Sequence, residues 1–311
     1  MMNDRIKKIE KRYKKELNAL LGEGKTLLQQ ELIKRLESVL VDCLAENNEA
    51  AAKDRRVVSL PRKGNLKVFA DIHGNWKDYS RIKEIFLGSG KDCYLVLLGD
   101  YIHGSPGYQD ESEKVLDDLI KLKKRYRKRV IPLLGDHEHS YIGGPNVSKH
   151  GVNQTLAFEY RLSPDKMKKY REFFRSLPLL VKTDNGIAIS HSGPVRAVVI
   201  NEVDLIYETN MIDYDDFADI DPYEFRDNTI LGNLLWNRNY NQEDARAFLD
   251  ALSQDGNKCF LAVYGHTPVD GYRMVGGNQL ILSPSCFLEI DLSERIKSVE
   301  QFKRGMHIKK F

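Results

Sequence analysis

Two stretches of the chain end alike: residues 97–103 read LLGDYIH and residues 133–139 read LLGDHEH, each an apolar run, Gly-Asp, and a histidine just beyond. They belong to a wider pattern. Of the chain's eight histidines, His73, His103, His137, His139, His191 and His266 follow apolar runs of strand type. Carboxylates or small residues accompany them in DIHGN (71–75), GDYIHG (99–104), GDHEH (135–139) and SHSG (190–193), while YGHTP (264–268) carries its histidine alone. A single histidine at a strand end is usually a hydrogen-bonded structural residue, but so many in one chain point to a shared site. Imidazole with carboxylate and without thiolate suits Mn, Fe or Zn rather than calcium, which prefers all-oxygen shells. Asp71 and His73 stand two residues apart, so on an extended chain they face the same way and can grip one ion. The donors suffice for two divalent metal ions sharing a bridging carboxylate. With the ions about 3.5–4 Å apart, that arrangement clamps the attacking and leaving oxygens in phosphoryl hydrolysis.

Distant segments meet at one place only if the fold sets strand ends side by side. LKVFADIHG reads as a buried strand ending at Ala70, WKDYSRIKEIFLGSG as a helix stopped by glycine, and DCYLVLLGD and RVIPLLGD as two further strands. Asp110 and Glu113 read as a capping box opening a helix that runs to about Arg127. Residues 66–136 are therefore predicted as βαβαβ, which builds a parallel sheet whose ligands gather beyond the carboxyl ends of its strands. The two LLGD stretches become neighbouring strand ends rather than a repeat. Further on, Ser163-Pro164 caps a helix to about Ser176, and LLVKT with GIAISHSG suggests a hairpin. NTILGNLLWNR and QEDARAFLDAL read as helices, and CFLAVYGHTP, LILSPSC and FLEIDL as strands. A second, more antiparallel sheet is the expected home of the late strands. Gly74, Gly99, Gly135 and Gly265 suit tight turns where backbone passes close to a site.

Residues 5–56 follow a helical period instead, with Leu21, Leu28, Leu32, Leu36, Leu40 and Leu44 forming one apolar stripe. The expected organisation is an N-terminal amphipathic helical extension over 1–56 and a catalytic domain over 57–311. The stripe packs on that domain or mediates self-association through a second helix. Residues 202–227 hold ten acidic side chains against one arginine without clear period, which reads as a surface insertion. KLKKRYRKR (121–129) carries seven positive charges and is most simply the outer face of a helix, although such a run can also meet nucleic-acid phosphates. A net charge of +3 calls for neither nucleic acid nor a membrane surface as partner. No apolar run approaches the roughly 20 residues of a membrane span. The opening MMNDRIKKIEKRYKK lacks the apolar region of a secretion signal, so a cytoplasmic protein is expected. Cys43, Cys93, Cys259 and Cys286 include no CxxC pair and read as reduced and mostly buried.

Taken in order over residues 66–292, DIHGN, GDYIHG, GDHE, the SHSG histidine, LLW and GHTP resemble the phosphoprotein phosphatase (Ser/Thr phosphatase-like) group of the calcineurin-like metallophosphoesterases. The resemblance implies an α/β fold, a four-layer α/β/β/α metallophosphatase sandwich, here with the helical extension before it. It also implies Asp71 and His73 on a first ion, Asp100 as the bridge, and Asp136, His191 and His266 on a second. His137 would be the general acid for the leaving oxygen, with a metal-bridging hydroxide attacking phosphorus in line.

The chain departs from the family pattern in places. Where the second motif runs GDxxDRG, this chain has His103 for the aspartate that orients the acid and Gly104 for a phosphate-binding arginine. Where the third runs RGNHE, Leu134 replaces the arginine and Asp136 the asparagine. Asp136 keeps a ligating oxygen and adds negative charge, which strengthens cation binding. His103 either accepts a hydrogen bond from His137 or lines the pocket, and Arg238 and Arg196 are the candidate replacements for the missing phosphate contacts.

The expected activity is hydrolysis of phosphomonoesters on a phosphorylated protein or a small phosphoester, with two divalent ions, Mn first and Fe or Zn as alternatives. A hydrolase of nucleotides or dinucleoside polyphosphates is the rival enzyme. An inactive metal-binding interaction protein is the rival from another class.

Overall fold

The computed structural model describes residues 56–104, 109–149, 151–196, 222–253, 258–294, 296, 298–305 and 307–311, all within one of the chain's two compact units, Ala51–Phe311. The amphipathic helix expected over 1–56 and most of the acidic stretch 202–227 lie outside the described residues. After β1 (Val57–Leu60) the chain runs β2 (Asn65–Phe69), α1 (Trp76–Gly88), β3 (Cys93–Leu97), α2 (Ser112–Tyr126) and β4 (Val130–Pro132). It continues through α3 (Asp136–Tyr141), the hairpin strands β5 (Ser148–Lys149) and β6 (Val152–Asn153), α4 (Gln154–Glu159) and α5 (Pro164–Arg175). Then come β7 (Leu180–Thr183), β8 (Ile187–Ser190), α6 (Pro222–Asn228), α7 (Ile230–Leu235) and α8 (Gln242–Ala251). Last are β9 (Leu261–Tyr264), β10 (Tyr272–Val275), β11 (Gln279–Leu282), β12 (Cys286–Asp291), α9 (Val299–Arg304) and β13 (Ile308–Lys310).

The predicted βαβαβ unit is present: β2, β3 and β4 pair in parallel as neighbours within a sheet of order β13-β12-β2-β3-β4. The other large sheet has the order β1-β7-β8-β9-β11-β10. Strand residues alternate between two cores, as the two-residue period of a strand requires. Val96 and Leu98 join Val68, Ile131, Val181, Ile189, Val263 and Leu280 between the sheets, whereas Leu95 and Leu97 join the helix-facing core with Tyr79, Ile82, Phe86, Val115 and Leu119. On the other outer face Ala262 and Tyr264 share that helix-facing core with Phe248 and Leu249 of α8. The result is the α/β/β/α sandwich, and burial on both faces explains why the strands read as unbroken apolar runs.

Local signals set the helix ends. The Asn75 side chain accepts from Asp78 N at 3.1 Å to start α1. Ser163 accepts from Lys166 N with Pro164 in the first turn of α5, as expected. The capping box at Asp110 and Glu113 does not form. Asp110 Oδ1 instead accepts from Ser112 N at 3.0 Å, Glu111 occupies the cap position without a side-chain bond, and Glu113 Oε2 accepts from Lys166 Nζ at 2.5 Å.

The late strands also depart from expectation. β9 pairs in parallel with both β8 and β11, so the second sheet is mixed rather than mainly antiparallel. β12 leaves that sheet and lies antiparallel to β2 in the first. A strand buried on both faces has the same composition in parallel and antiparallel pairs, so pairing direction was not readable from these runs.

Candidate metal centre

Parallel pairing brings the carboxyl ends of β2, β3 and β4 together, and Asp71, Asp100 and Asp136 follow them; β8 and β9 likewise end just before His191 and His266. The backbone there is unusual. Among the described residues, five other than glycine have positive φ, and four are His73, Asp100, His103 and His266, at 48°, 54°, 63° and 60°. Each such residue costs of order 1–3 kcal/mol and persists only where neighbouring bonds hold it. Those bonds are present. Ile72 N and His73 N donate to Asp100 O at 3.0 and 2.6 Å, and Gly74 N donates to Tyr101 O at 2.9 Å. The fully buried Glu138 carboxylate accepts from Asp100 N, Tyr101 N, Ile102 N and Gly135 N at 2.8, 2.7, 3.2 and 3.2 Å, tying the turn after β3 to the start of α3. Burial lifts the Glu138 carboxyl to about 7 although its amide donors favour the anion.

Two sets of ligand atoms converge here, and Asp100 belongs to both. The first comprises Asp100, Asp136, His191 and His266, all buried; the second comprises His73, Asp100 and His137. In the first, Asp136 Oδ1 lies 3.1 Å from His191 Nε2 and 3.3 Å from His266 Nδ1, and Asp100 Oδ1 lies 3.6 Å from His191 Nε2. In the second, Asp100 Oδ2 lies 3.6 Å from His73 Nε2 and 3.9 Å from His137 Nε2. The bridging position assigned to Asp100 therefore offers one oxygen to each side. Burial and the neighbouring Asp136, Asp71 and Glu138 carboxylates push the Asp100 carboxyl well above its usual range. A dication relieves that crowding.

The tautomers fit ligation. A carbonyl only accepts, so His191 donates from Nδ1 to Leu98 O at 2.7 Å and turns a bare Nε2 to Asp136. His73 Nδ1 does the same toward Ile102 O at 3.4 Å. Ligand atoms about 2.0–2.2 Å from a common cation lie roughly 3 Å or more apart. The buried set of Asp100, Asp136, His191 and His266 thus fits a divalent ion, and Asp100 with His73 offers a second side that is completed by His137 only if His137 Nε2 carries no proton. Asp71 is not brought into either set: its Oδ1 accepts from His266 N at 3.2 Å, beside Gly265, where an added Cβ would come within 2.6 Å of that oxygen.

The expected acid, His137, sits with its Nδ1 2.8 Å from Nδ1 of His103. Burial, with the nearby Lys149 charge adding to it, pushes His103 down to about 3. Burial also holds His137 well below its usual range, although Asp136 pulls the other way. His103 Nε2 is buried with no hydrogen-bond partner among the described residues. Arg238 Nε donates to His266 Nε2 at 3.1 Å, placing Arg238 at the site, while the backbone N–H of Arg196 donates to Asn233 Oδ1 at 2.9 Å. His139 lies outside both sets. Its Nδ1 accepts from Trp236 Nε1 at 3.0 Å and its ring stacks on Phe225.

Sequence reasoning placed Glu138 beside the ligands rather than among them; the four backbone amides it clamps carry no motif that could have marked them. The basic run 121–129 faces the far end of the first sheet. Lys123 Nζ donates to Val130 O at 2.8 Å and Arg129 Nε to Cys93 O at 3.0 Å, and both acceptors begin strands whose other ends carry the site.

Comparisons with known proteins agree with this geometry. Residues 64–283 match the calcineurin-like phosphoesterase family. A "Probable serine/threonine-protein phosphatase" of Encephalitozoon cuniculi is 25% identical over 285 residues, covering 86% of this chain and 54% of that protein. The chain thus spans about half the length of that relative. Two solved structures show the same fold. A protein serine/threonine phosphatase from Saccharomyces cerevisiae has a TM-score of 0.55 at 16% identity, covering 77% of this chain and 78% of its own. A cold-active protein-tyrosine phosphatase of a psychrophilic Shewanella has a TM-score of 0.55 at 17% identity, covering 79% and 80%.

Proposed function

The chain belongs to the calcineurin-like phosphoesterase family, and from that premise we propose that it is a dinuclear, metal-dependent phosphomonoester hydrolase acting on phosphorylated Ser/Thr side chains. The observation that carries this reading is Asp100, whose two oxygens serve two separate donor sets. When bound, two divalent cations would polarise the phosphoryl group and lower the pKa of the attacking water; the nitrogen and oxygen donors suit Mn, with Fe or Zn as alternatives. The protein's own residues do the rest. Glu138 holds the Asp100 turn rigid through four backbone amides. His137 turns Nε2 toward the Asp100 side of the site, where an N–H can protonate a leaving alkoxide, while its Nδ1 shares a proton with His103. Arg238 stands one hydrogen bond from the His191/His266 side and can meet a phosphoryl oxygen.

The named phosphatase relative supports a phosphoprotein substrate. One neighbour of the same fold is named for serine/threonine and the other for tyrosine, so the choice of phosphorylated residue rests on sequence relatedness. Residues 57–311 would be the catalytic domain and 1–56 an extension available for self-association. Among the described residues no helix is long and apolar enough to cross a membrane, in keeping with a cytoplasmic location. The test is turnover of nitrophenyl phosphate with added Mn, alongside metal analysis and a comparison of phosphopeptides with dinucleoside polyphosphates. Activity abolished in Asp100→Asn, with phosphopeptides preferred, is the expected result. No turnover from metal-loaded protein would leave a binding protein, and preference for dinucleotides would replace the substrate.

A further inference from the structure

A surface helix ordinarily turns charged side chains to the water and apolar ones to the core. The segment that carries β6 and α4 is apolar on its outer face as well. Among the described residues five large apolar side chains are exposed, and three of them, Val152, Leu156 and Tyr160, fall within nine positions, at 51, 53 and 90% exposure. Leu156 and Tyr160 stand four residues apart with helical backbone at both, so they share one face, and Ala157 beside them is exposed too. The charges nearest this stripe are tied up elsewhere. Glu159 pairs with Arg171 Nη2 at 2.7 Å, and Arg161 Nη2 pairs with Asp110 at 2.6 Å. Single exposed leucines are common on folded proteins, but a continuous apolar stripe is not.

The inner face of the same segment is fastened to the catalytic histidines. The Thr155 hydroxyl bonds to Ser140 of α3 at 2.8 Å, in the helix that carries His137, and both are buried. Buried Phe158 sets its ring edge against His103 with centroids 5.9 Å apart, and His103 in turn meets His137. Asp110, the partner of Arg161, lies against the turn after His103, where a Cβ added to Gly104 would stand 2.6 Å from Asp110 Cβ. α4 is therefore a wall of the site on the His103/His137 side, and the stripe is the far face of that wall.

Size and distance choose the occupant. The stripe exposes on the order of 400 Å² of apolar surface, about half of the roughly 800 Å² that each partner of a stable dimer buries, so a second copy of the chain is a poor fit and a short peptide segment a good one. A helix with its side chains is about 10–12 Å across and an extended chain advances about 3.3–3.6 Å per residue, so roughly three to five residues carry a peptide from the site across α4.

We propose that Val152, Leu156 and Tyr160 form a docking strip for the phosphorylated protein substrate, receiving apolar side chains that lie roughly three to five residues from the phosphorylated one. This deepens the phosphoprotein reading given above and rests on it. Without charge of its own, the strip favours leucine or aromatic residues over charged ones, and it acts on substrate choice without touching phosphorus.

The test uses the full chain loaded with Mn. Phosphoserine peptides in which one leucine is walked along either side of the phosphoserine are compared with an all-polar peptide, and nitrophenyl phosphate, too short to reach the strip, sets the baseline. In wild type kcat/KM should peak about tenfold above the all-polar peptide, through KM rather than kcat, when the leucine lies roughly three to five residues out. Leu156→Ser and Tyr160→Ser should each remove most of that advantage relative to nitrophenyl phosphate, while Tyr160→Phe should keep it; both side chains are exposed, so the core is untouched. A flat peptide series in wild type would overturn the proposal, as would a leucine preference that survives both serine substitutions. Sedimentation showing a dimer that Tyr160→Ser dissociates would overturn it as well, by giving the strip to a second copy. Fluorescence anisotropy of the same peptides separates this from the enzyme reading. Leucine-dependent binding that needs Tyr160 in a protein without turnover would sustain the strip and sink the activity; turnover of nitrophenyl phosphate with a flat peptide series would do the reverse.

Discussion

The two halves of the centre are built to different standards. On the His191/His266 side four buried donors converge, with Asp136 3.1 and 3.3 Å from His191 and His266 and Asp100 3.6 Å from His191, and His191 is locked by the Leu98 carbonyl. On the His73/His137 side the separations from Asp100 are 3.6 and 3.9 Å, His73 is 20% exposed, and Asp71 stays outside the set. The first half is rigid because its histidines follow central strands of the second sheet and its aspartate opens a helix clamped by Glu138. The second half hangs on turns, and the motif departures at His103 and Gly104 fall there. The tighter half thus holds one departure that keeps a ligating oxygen, Asp136, while the looser half holds the two that change the side-chain chemistry, His103 and Gly104.

Among the described residues Asp100 is the only one common to both halves, so its loss should be the largest effect. Asp100→Asn removes the charge that offsets two cations, an interaction worth several kcal/mol, and should lower kcat on the order of a thousandfold or more. Metal analysis should show fewer than two ions per chain; a variant that keeps both ions and near-normal turnover would dissolve the distinction between the halves. His137→Asn touches only the second half. It should lower kcat on the order of a hundredfold for alkyl phosphates, which need a proton on the departing oxygen, and far less for nitrophenyl phosphate, which does not. Equal losses on the two substrates would show that His137 acts as a ligand instead of an acid.

The contrast between halves also marks what could be read from sequence. The convergence of Asp100, Asp136, His191 and His266 was legible because each follows a buried apolar run, and parallel strands send such residues to one edge, whereas Asp71 follows such a run too and stays outside both sets. The strand order β2-β3-β4 followed from the same spacing. Pairing direction in the second sheet was not legible, and neither was the passage of β12 into the first, since both depend on which apolar faces meet in three dimensions. The docking of α4 on the site was hidden for a related reason: Thr155 with Ser140 and Phe158 with His103 are contacts between side chains that carry no period or motif.

His103 permits a finer test of the second half. A protonated acid loses function as pH rises through its pKa, and burial already holds His137 well below the usual histidine range. His103, pushed down to about 3, stays neutral near pH 7 and offers His137 no negative charge. His103→Asp places a carboxylate beside Nδ1 of His137, which favours the imidazolium and raises its pKa. The alkaline limb of the pH profile for an alkyl phosphate should therefore move upward by about one unit or more. Superimposable limbs would mean that His103 lines the pocket and does not govern the acid.

The smallest expected effect belongs to the rigid half and has two opposite signs. Arginine only donates, so the bond from Arg238 Nε at 3.1 Å requires a bare Nε2 on His266. Neutral His266 then carries its proton on Nδ1, the atom 3.3 Å from Asp136 and the one turned toward the first donor set. Ligation through Nδ1 needs that proton elsewhere, and a neutral ring would place it on Nε2, where it meets the arginine N–H donor to donor. Arg238 must therefore leave His266 as a cation is taken up, which frees its guanidinium for a phosphoryl oxygen. Arg238→Ala should tighten Mn binding by a few-fold, since the competing bond is gone, while raising KM by a similar factor; second-sphere changes commonly reach 10- to 100-fold, so a few-fold shift is a modest expectation. Titration of metal-free protein against a chelating indicator reads the first and steady-state kinetics the second. If both quantities weaken together, Arg238 supports the ligand rather than competing with it, and the rigid half is less complete than its distances suggest.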